Sequence, residues 1–209
     1  MYIPNAFRQD DLDKLVGFMR AHSFATLVSV LDGSLFASHV PLVVRQHEDV
    51  VQLIGHLAKP NPQWMAFGKG ETLAIFTGPH AYISPSLYEK RESVPTWNYI
   101  AVHAYGTPRI IALADSRQAL QGILDAVMET YDPSYKKQWE QLSERYREGM
   151  MNGIVGFEMT VTRLEGKYKL SQNRSQADQE RVAQSLLQSA DPTISVLGEA
   201  MKANLESEG

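Results

Sequence analysis

The sequence predicts a mainly β protein with flanking helices, built as an antiparallel barrel or sandwich. Short runs rich in β-branched and aromatic residues follow one another, and few helical segments separate them. Asp32-Gly33 lies between two of these runs and is the strongest short hairpin signal in the chain. Parallel strands would need a long crossover, usually a helix, between each pair. These observations together favour antiparallel pairing.

The first half of the chain alternates strand-like runs with turns. A helix is expected over residues 9–21, where Asp10 and Asp11 lie at the positive end of the helix dipole. A second helix is expected from Asp115 or Ser116, with one apolar side. The predicted strands have the sequences FATLVSV, LFASHVPLVVR, VVQLIGHLA, ETLAIFTG, NYIAVHAYG, TPRIIALA and IVGFEMTVTRLEG.

The second half contains a polar stretch and a helical tail. The polar stretch, which includes Trp139 and Tyr146, has the composition of a mobile segment. The tail is predicted to be helical from Ser175 onward, and Asp191-Pro192 has the pattern of an N-cap followed by proline at the first helical position. We therefore expect two domains. They are a barrel domain, residues 1–166, and a C-terminal helical extension, residues 167–209.

The composition is that of an ordinary globular protein. With 209 residues, 44% of them hydrophobic, the chain can bury a full core, and the absence of cysteine excludes disulfides and thiolate metal sites. The N-terminal residues lack the pattern of a signal peptide and no run is long enough to span a bilayer, so we expect a cytoplasmic protein without membrane contact. The net charge of −4 disfavours general nucleic-acid affinity.

Large rings with polar groups are concentrated between Gly78 and Gly106. Buried Tyr and Trp side chains need hydrogen-bond partners, so such a density is uncommon in a purely structural loop. The segment predicts the wall of a pocket for a flat, polar, partly aromatic ligand. Its rings and imidazoles are Tyr82, Tyr88, Trp97, Tyr99, Tyr105, His80 and His103.

The decapeptide GHLAKPNPQW, residues 55–64, is the best candidate for an anion site. Asn61 followed by Pro62 predicts a helix start, Lys59 supplies a cation, and His56 could add a donor. A phosphate would be attracted by free backbone N–H groups at such a helix start. The same residues also fit a capped helix, a solvated lysine and a core histidine, so the decapeptide alone leaves both interpretations open.

Four segments together resemble the PaiB family, described as FMN-binding negative transcriptional regulators with a split β-barrel similar to pyridoxamine phosphate oxidases. The segments are GHLAKPNPQW, GPHAYISPSLY, VPTWNYIAVHAYG and KYKLSQNRSQADQERV, and the resemblance runs from the opening YIPNAF to about Val182. It implies an antiparallel FMN-binding split β-barrel, a homodimer, and FMN held between the two barrels.

The resemblance also implies a set of cofactor-binding residues. Near the isoalloxazine ring it places Thr26, Val28, Ser29, His39 and Pro41. At the phosphate it places His56, Ala58, Lys59 and Asn61. On the cofactor or substrate side it places Trp97, Asn98, Tyr99, Lys169, Ser171, Gln172 and Asn173. From the residues alone, Thr26 and Ser29 equally fit a half-buried strand.

Three functions follow as hypotheses. The first is a regulator without turnover, in which FMN stabilises the dimer and operator DNA meets a local basic patch. The second is a small flavin-dependent oxidoreductase or oxidase, in which the cofactor carries the redox step and no single side chain stands out as catalytic. The third is haem binding or degradation. The patch for DNA would consist of Arg174, Arg181, Lys202 and the segment 136–147.

Overall fold

The computed structural model describes residues 1–112 and 116–208, with side chains up to residue 206. Most of the strand pairing is antiparallel, and helices flank the sheets, as the sequence predicts. The strands are β1 (Arg8–Gln9), β2 (Phe24–Leu31), β3 (Ser34–Pro41), β4 (Val43–His47), β5 (Val50–Ala58), β6 (Thr72–Ile83), β7 (Thr96–Gly106), β8 (Arg109–Ile111), β9 (Ile154–Thr160) and β10 (Arg163–Lys169). The helices are α1 (Leu12–Ala21), α2 (Arg117–Tyr131), α3 (Tyr135–Gln141), α4 (Glu144–Asn152), α5 (Gln176–Leu187) and α6 (Pro192–Glu208).

The chain divides into two compact units. Unit 1 consists of Met1–Asp11, Thr77–Val102 and Glu165–Gly209, and unit 2 consists of Leu12–Phe76 and His103–Leu164. Strands β6, β7 and β10 each contribute residues to both units. The division into residues 1–166 and 167–209 stays a prediction.

In unit 2, β2 pairs with β3 on one side and with the first half of β6 on the other. The turn between β2 and β3 has positive φ at both central residues, 50° at Asp32 and 78° at Gly33, as a tight hairpin with a right-handed twist requires. The register pairs Phe24 with Pro41 and Leu31 with Ser34. The predicted hairpin is confirmed.

A second sheet of unit 2 has the strand order β4-β5-β9-β8, and α2 packs on it. The close approach depends on Gly156 of β9, because a Cβ there would lie 2.7 Å from side-chain atoms of both Leu120 and Ile123. Ser116 caps α2 by accepting a hydrogen bond from the Ala119 N–H at 3.1 Å. The predicted start at Ser116 is confirmed, and Asp115 lies outside the described residues.

Two predicted strands were wrong in their continuity. LFASHVPLVVR forms β3 and β4, and IVGFEMTVTRLEG forms β9 and β10, with the members of each pair in different sheets. The first break comes at Leu42, next to Pro41, which lacks a backbone N–H. At the second break, the N–H groups of Val161 and Thr162 donate to carbonyls of Val51 and Tyr105. The first break lies between the apolar residues Val40 and Val43, and the second lies at Val161 and Thr162, two β-prone residues without a turn signal, so the sequence pattern gave no sign of either.

Unit 1 holds strands in the order β1-β10-β7-β6, together with α5 and α6. The predicted cap of α6 is confirmed, because Asp191 Oδ1 accepts from the Thr193 N–H at 2.8 Å. The two helices pack closely at Gly198, where a Cβ would meet the backbone N of Leu187 at 2.8 Å. Among the helices that the structure describes, none combines the length and the hydropathy needed to cross a bilayer.

Candidate functional site

One face of the β2–β3 hairpin in unit 2 is open and largely apolar. We call it the hairpin face. It contains the cross-strand pairs Phe24–Pro41, Thr26–His39, Val28–Ala37 and Val30–Leu35. Leu73 and Ile75 of β6 continue it on the far side of β2. Phe24, Val30 and Leu35 are exposed by 69%, 58% and 80%, which is unusual for apolar residues of a sheet and indicates a surface that is covered in use.

A polar pair lies in the middle of this face. Thr26 Oγ1 and His39 Nδ1 are 3.0 Å apart and share a hydrogen bond. The Phe24 ring stacks beside the His39 imidazole, with 6.3 Å between ring centroids. His39 Nε2 has no partner in the part of the chain that the structure describes. The structure therefore brings together Thr26, Val28, His39 and Pro41 on one face.

Ser29 lies on the opposite face of β2, so the structure does not bring it to the hairpin face, and its assignment as a ring contact stays a prediction. Strand alternation turns it inward, and its side chain is buried. Ser29 Oγ is 3.0 Å from Thr72 Oγ1, and Gln63 Nε2 donates to it at 3.3 Å. Gln63 also donates to the carbonyl of Leu27 at 2.8 Å. Ser29 therefore takes part in a buried hydrogen-bond network on the inner face of the hairpin.

The segment Lys59 to Asn61 is held beside β3. Asn61 Nδ2 donates to Ser38 Oγ at 2.8 Å, and Asn61 Oδ1 accepts from the Gln63 N–H at 3.0 Å. The predicted helix start is correct, but the helix is a single 3-10 turn, Pro62–Ala66, so its dipole is small. Its capped N–H is already bonded. What remains for an anion is the exposed Lys59 ammonium, which has no carboxylate partner among the described residues.

His56 does not join this segment. Along β5 it shares a face with Ile54 and Ala58, and this face is turned toward α2–α4. Burial lowers the pKa of the His56 imidazole, which is therefore neutral near neutral pH. Ala58 is exposed at the end of the strand, and its carbonyl accepts from the Asn61 N–H at 2.9 Å. The structure therefore does not bring His56 to the Lys59 segment, whereas Ala58 adjoins that segment, and the assignment of both residues to the phosphate stays a prediction.

The predicted residues Trp97, Asn98 and Tyr99 are consecutive in β7, so their side chains alternate between the two faces of the sheet. Trp97 is exposed, and its ring lies 6.1 Å from the rings of both His80 and Tyr82. Asn98 is completely buried, with Nδ2 donating to Ser171 Oγ at 2.8 Å and Oδ1 unpartnered in the described residues. The Trp97 ring is therefore accessible from solvent, whereas the Asn98 side chain is not.

Two lysines of β10 lie among aromatic rings of unit 1. The Lys167 ammonium is 5.1 Å from the centre of the Tyr99 ring and donates to the Tyr2 carbonyl at 3.1 Å. Lys169 donates to Thr96 Oγ1. Burial, and then the nearby charge of Lys167, lower the pKa of Lys169. Since neither lysine has a carboxylate partner in the described part of the chain, this pair attracts anions.

The loop after β10 is fixed by its own side chains. Ser171 is buried with φ at 69°, a strained value for a serine. Gln172 Nε2 donates to the Tyr168 carbonyl at 2.6 Å, and its Oε1 accepts from the Leu170 N–H at 2.7 Å. Ser171 and Gln172 therefore stabilise the loop, and their predicted role at the cofactor stays a prediction. Asn173 is exposed, so its side chain is accessible to a ligand.

The donor set fits FMN. The hairpin face offers a flat apolar surface with an imidazole and a hydroxyl, and an isoalloxazine needs both apolar contact and partners for its ring nitrogens and oxygens. The unpaired Lys59 ammonium suits a phosphate. Sequence reasoning missed Phe24 and Gln63. Phe24 could have been found by extending the alternation of Thr26 and Val28, whereas no sequence signal pointed to Gln63.

The family is shown by sequence comparison. Residues 1–163 match a family model described as "Putative FMN-binding domain". Protease synthase and sporulation protein PAI 2 of Bacillus subtilis (strain 168) is 36% identical over 211 residues, an alignment that covers 100% of both chains. The uncharacterized protein AN0679 of Emericella nidulans is 29% identical, with 87% of this chain and 88% of its own aligned.

Solved structures show the same fold. The FAD and heme binding protein from Mycobacterium smegmatis superposes with a TM-score of 0.58 at 17% identity, covering 85% of this chain and 79% of its own. The flavocytochrome Anf3 from Azotobacter vinelandii gives 0.53 at 14% identity, covering 78% and 69%. At these identities the likeness shows a common fold alone, the split β-barrel of flavin-binding proteins. The chain belongs to the PaiB family of FMN-binding split-barrel proteins.

Proposed function

We propose that this protein is a cytoplasmic FMN-dependent regulator that acts as a homodimer. The open hairpin face carries this proposal, because an exposed apolar surface with a central polar pair suits a bound ring. The full-length relationship to a protein named for protease synthesis and sporulation supports a regulatory role. FMN would stabilise the dimer, and the regulatory surface would depend on that assembly.

On the hairpin face, the isoalloxazine would lie against Thr26, Val28 and Pro41. His39 Nε2 would hydrogen-bond the ring, and Lys59 would bind the phosphate, with Asn61 and Ala58 holding the lysine segment in place. FMN supplies reversible redox chemistry when bound. From unit 1, we propose Trp97, Tyr99, Lys169 and Asn173 as contacts of the cofactor or a second ligand.

Replacing Lys59 with Ala tests the phosphate position. A charge-assisted hydrogen bond contributes about 1.5–3 kcal/mol, so Lys59→Ala should weaken FMN binding by about ten- to a hundredfold. Quenching of flavin fluorescence measures the affinity. Lys69→Ala, another exposed lysine of unit 2, is the matched control and should bind normally.

Lys169→Ala separates the two lysine positions. If Lys59→Ala binds FMN normally and Lys169→Ala does not, the phosphate lies at the β10 lysines and the proposed orientation on the hairpin face is wrong. Unchanged affinity in both variants would remove lysine from the phosphate site altogether. Because Lys169 donates to Thr96 in the protein, circular dichroism must first show that Lys169→Ala is folded.

Regulation through direct DNA contact would rest on few free cations. Arg181 is paired with Asp178 and Glu89, and the Arg174 guanidinium lies 4.1 Å from the centre of the Tyr88 ring. A gel shift of promoter DNA by the FMN-loaded protein, weakening with salt, would support direct repression. If the protein does not shift promoter DNA at low salt, direct repression is excluded, and regulation would have to act through a protein partner.

Turnover is the alternative function, supported by the presence of His39 on the hairpin face. Among the cross-strand pairs of that face, His39 has the one side chain that can both donate and accept a hydrogen bond through ring nitrogens. Under anaerobic conditions, reduced nicotinamide or a pyridoxamine-type amine should bleach the flavin of an oxidoreductase. If neither donor bleaches the flavin, the regulator without turnover stands.

A further inference from the structure

Unit 2 contains a cavity of about 250 Å³ that the proposed flavin surface does not use. It is lined by β5, β9 and the three helices α2, α3 and α4, and it is partly open to solvent. Its lining residues are His56, Leu124, Val127, Met128, Tyr135, Trp139, Tyr146, Met150 and Ile154. None of them belongs to the hairpin face or to the segment of Lys59. The cavity is therefore a separate feature of the molecule.

The walls are mostly apolar. Leu124 and Val127 of α2 remain half-buried, although their neighbours Ile123 and Met128 belong to the buried core of this region. Met150 of α4 is exposed by 49%. The cavity is slightly smaller than the typical range of about 300–1,000 Å³ for ligand pockets, and an apolar wall around a few polar groups is their usual composition. It has room for a single small ring.

Two ring-nitrogen groups of the lining residues, those of Trp139 and His56, lack hydrogen bonds among the described residues. Trp139 is buried, and its Nε1–H has no acceptor in the part of the chain that the structure describes. The half-buried His56 imidazole likewise has no hydrogen bond among the described residues. Buried polar groups are nearly always satisfied in native proteins, so an unpartnered indole N–H indicates a missing partner.

The lack of charged groups among the lining residues determines which kind of ligand fits the cavity. None of its lining residues is an acid, a lysine or an arginine, and the lowered pKa of His56 keeps the imidazole neutral near neutral pH. A buried ionised ligand would have no counter-charge, which is costly. A hydroxyl is the complementary group, because its oxygen accepts from an indole N–H and its hydrogen is donated to a neutral imidazole.

We infer that this cavity is a binding site for a small uncharged aromatic molecule that carries one hydroxyl group. Trp139 donates to the hydroxyl oxygen, and His56 accepts the hydroxyl hydrogen. The aliphatic side chains of Leu124, Val127 and Ile154 contact the ring. This site does not depend on FMN, so its failure and that of the proposed function are distinguishable.

The test compares p-cresol with p-xylene, which differ by a hydroxyl in place of a methyl group. Ligand-observed NMR on the FMN-loaded protein should show p-cresol binding about tenfold more tightly, the contribution of one well-placed hydrogen bond. Trp139→Phe keeps a ring but removes the N–H, so it should weaken this preference, leaving the part that His56 contributes, and retain p-xylene binding. Lys137→Ala, an exposed change on the same helix, is the control and should behave as the wild type.

A variant whose side chain fills the cavity provides a second test of the inference. Val127→Trp should abolish binding of both probes while the visible spectrum of bound FMN stays unchanged. The inference is overturned if neither probe binds the wild type, if both bind Val127→Trp normally, or if Trp139→Phe keeps the full preference for p-cresol. Should Val127→Trp fail to fold, the Trp139→Phe comparison decides.

Discussion

Asp178 of α5 binds the 84–95 loop of unit 1. Its Oδ1 accepts from the Glu89 N–H at 2.9 Å and from the Arg181 guanidinium at 2.5 Å. Arg181 in turn donates through Nε to the Leu87 carbonyl at 3.1 Å. The hydrogen bond from the Glu89 N–H is the main effect that lowers the pKa of Asp178. The Arg181 guanidinium lowers it further.

The lowered pKa makes the contribution of Asp178 dependent on pH. Because the unfolded chain takes up the proton more readily, the stabilisation is complete above the ordinary pKa of an aspartate and is lost as the pH falls through the lowered value. Asp178→Asn should therefore be less stable than the wild type near neutral pH, and the difference should vanish in acid. Urea unfolding across a pH series measures this.

Glu199→Gln is the control for Asp178→Asn, because Glu199 is an exposed carboxylate of the same unit. It should leave the curve of stability against pH unchanged. A difference between Asp178→Asn and the wild type that persists below the lowered pKa would show that Asp178 acts by packing rather than by its charge.

At single positions, the sequence predicted that a residue lies in a strand more reliably than it predicted which face of the sheet its side chain occupies. Thr26 and Ser29 both looked like strand residues, yet only Thr26 reaches the hairpin face, because an odd separation along a strand reverses the side chain. His56 lies on the half-buried face of β5 together with Gln52. Two of the helices beside it, α3 and α4, come from a segment whose polar composition did not predict them, so nothing in the sequence indicated this neighbourhood.

The β2–β3 hairpin is the element that presents the proposed flavin surface, and its turn depends on Gly33. With φ at 78°, an alanine at this position would be strained by about 1–2 kcal/mol. Gly33→Ala should lower the free energy of unfolding by about that amount. It should also weaken FMN binding, because the strand register of the hairpin face depends on this turn.

The matched control is Gly70→Ala, a surface glycine of unit 2 where a Cβ would contact nothing within 4 Å. It should change stability by less than about 0.5 kcal/mol. Equal losses in the two variants, measured by urea unfolding, would contradict a specific role of the turn conformation.

Among the elements, hairpins and caps could be predicted and the helices α3 and α4 could not. Asp32-Gly33 and Asp191-Pro192 carry local chemistry that determines the backbone. The stretch from residue 132 to 152 was predicted to be mobile because its composition is polar. In the structure, its residues Trp139 and Met151 pack into a buried core together with residues of other elements. That tertiary contribution is not visible in a local window.

At the scale of the whole molecule, the apolar hairpin face makes association the expected state. We expect the FMN-loaded protein to sediment as a dimer, and Val30→Lys on that face should shift it toward monomer, since a buried lysine without a partner is costly. Sedimentation velocity at a flavin wavelength records both. Val94→Lys, at an exposed valine of unit 1, is the control; dissociation by both variants, or by neither, would place the interface elsewhere.

Unit 1 is assembled from three separated stretches of chain, and its strand pairing joins Arg8 to Lys167. A ribosome makes the first of these stretches early and the third last. Residues 1–11 must therefore remain without their partners until residues 165–209 have left the exit tunnel, whereas every residue of unit 2 has by then been synthesised. The order of synthesis therefore lets unit 2, with its hairpin and helical cavity, fold while unit 1 still lacks its third stretch.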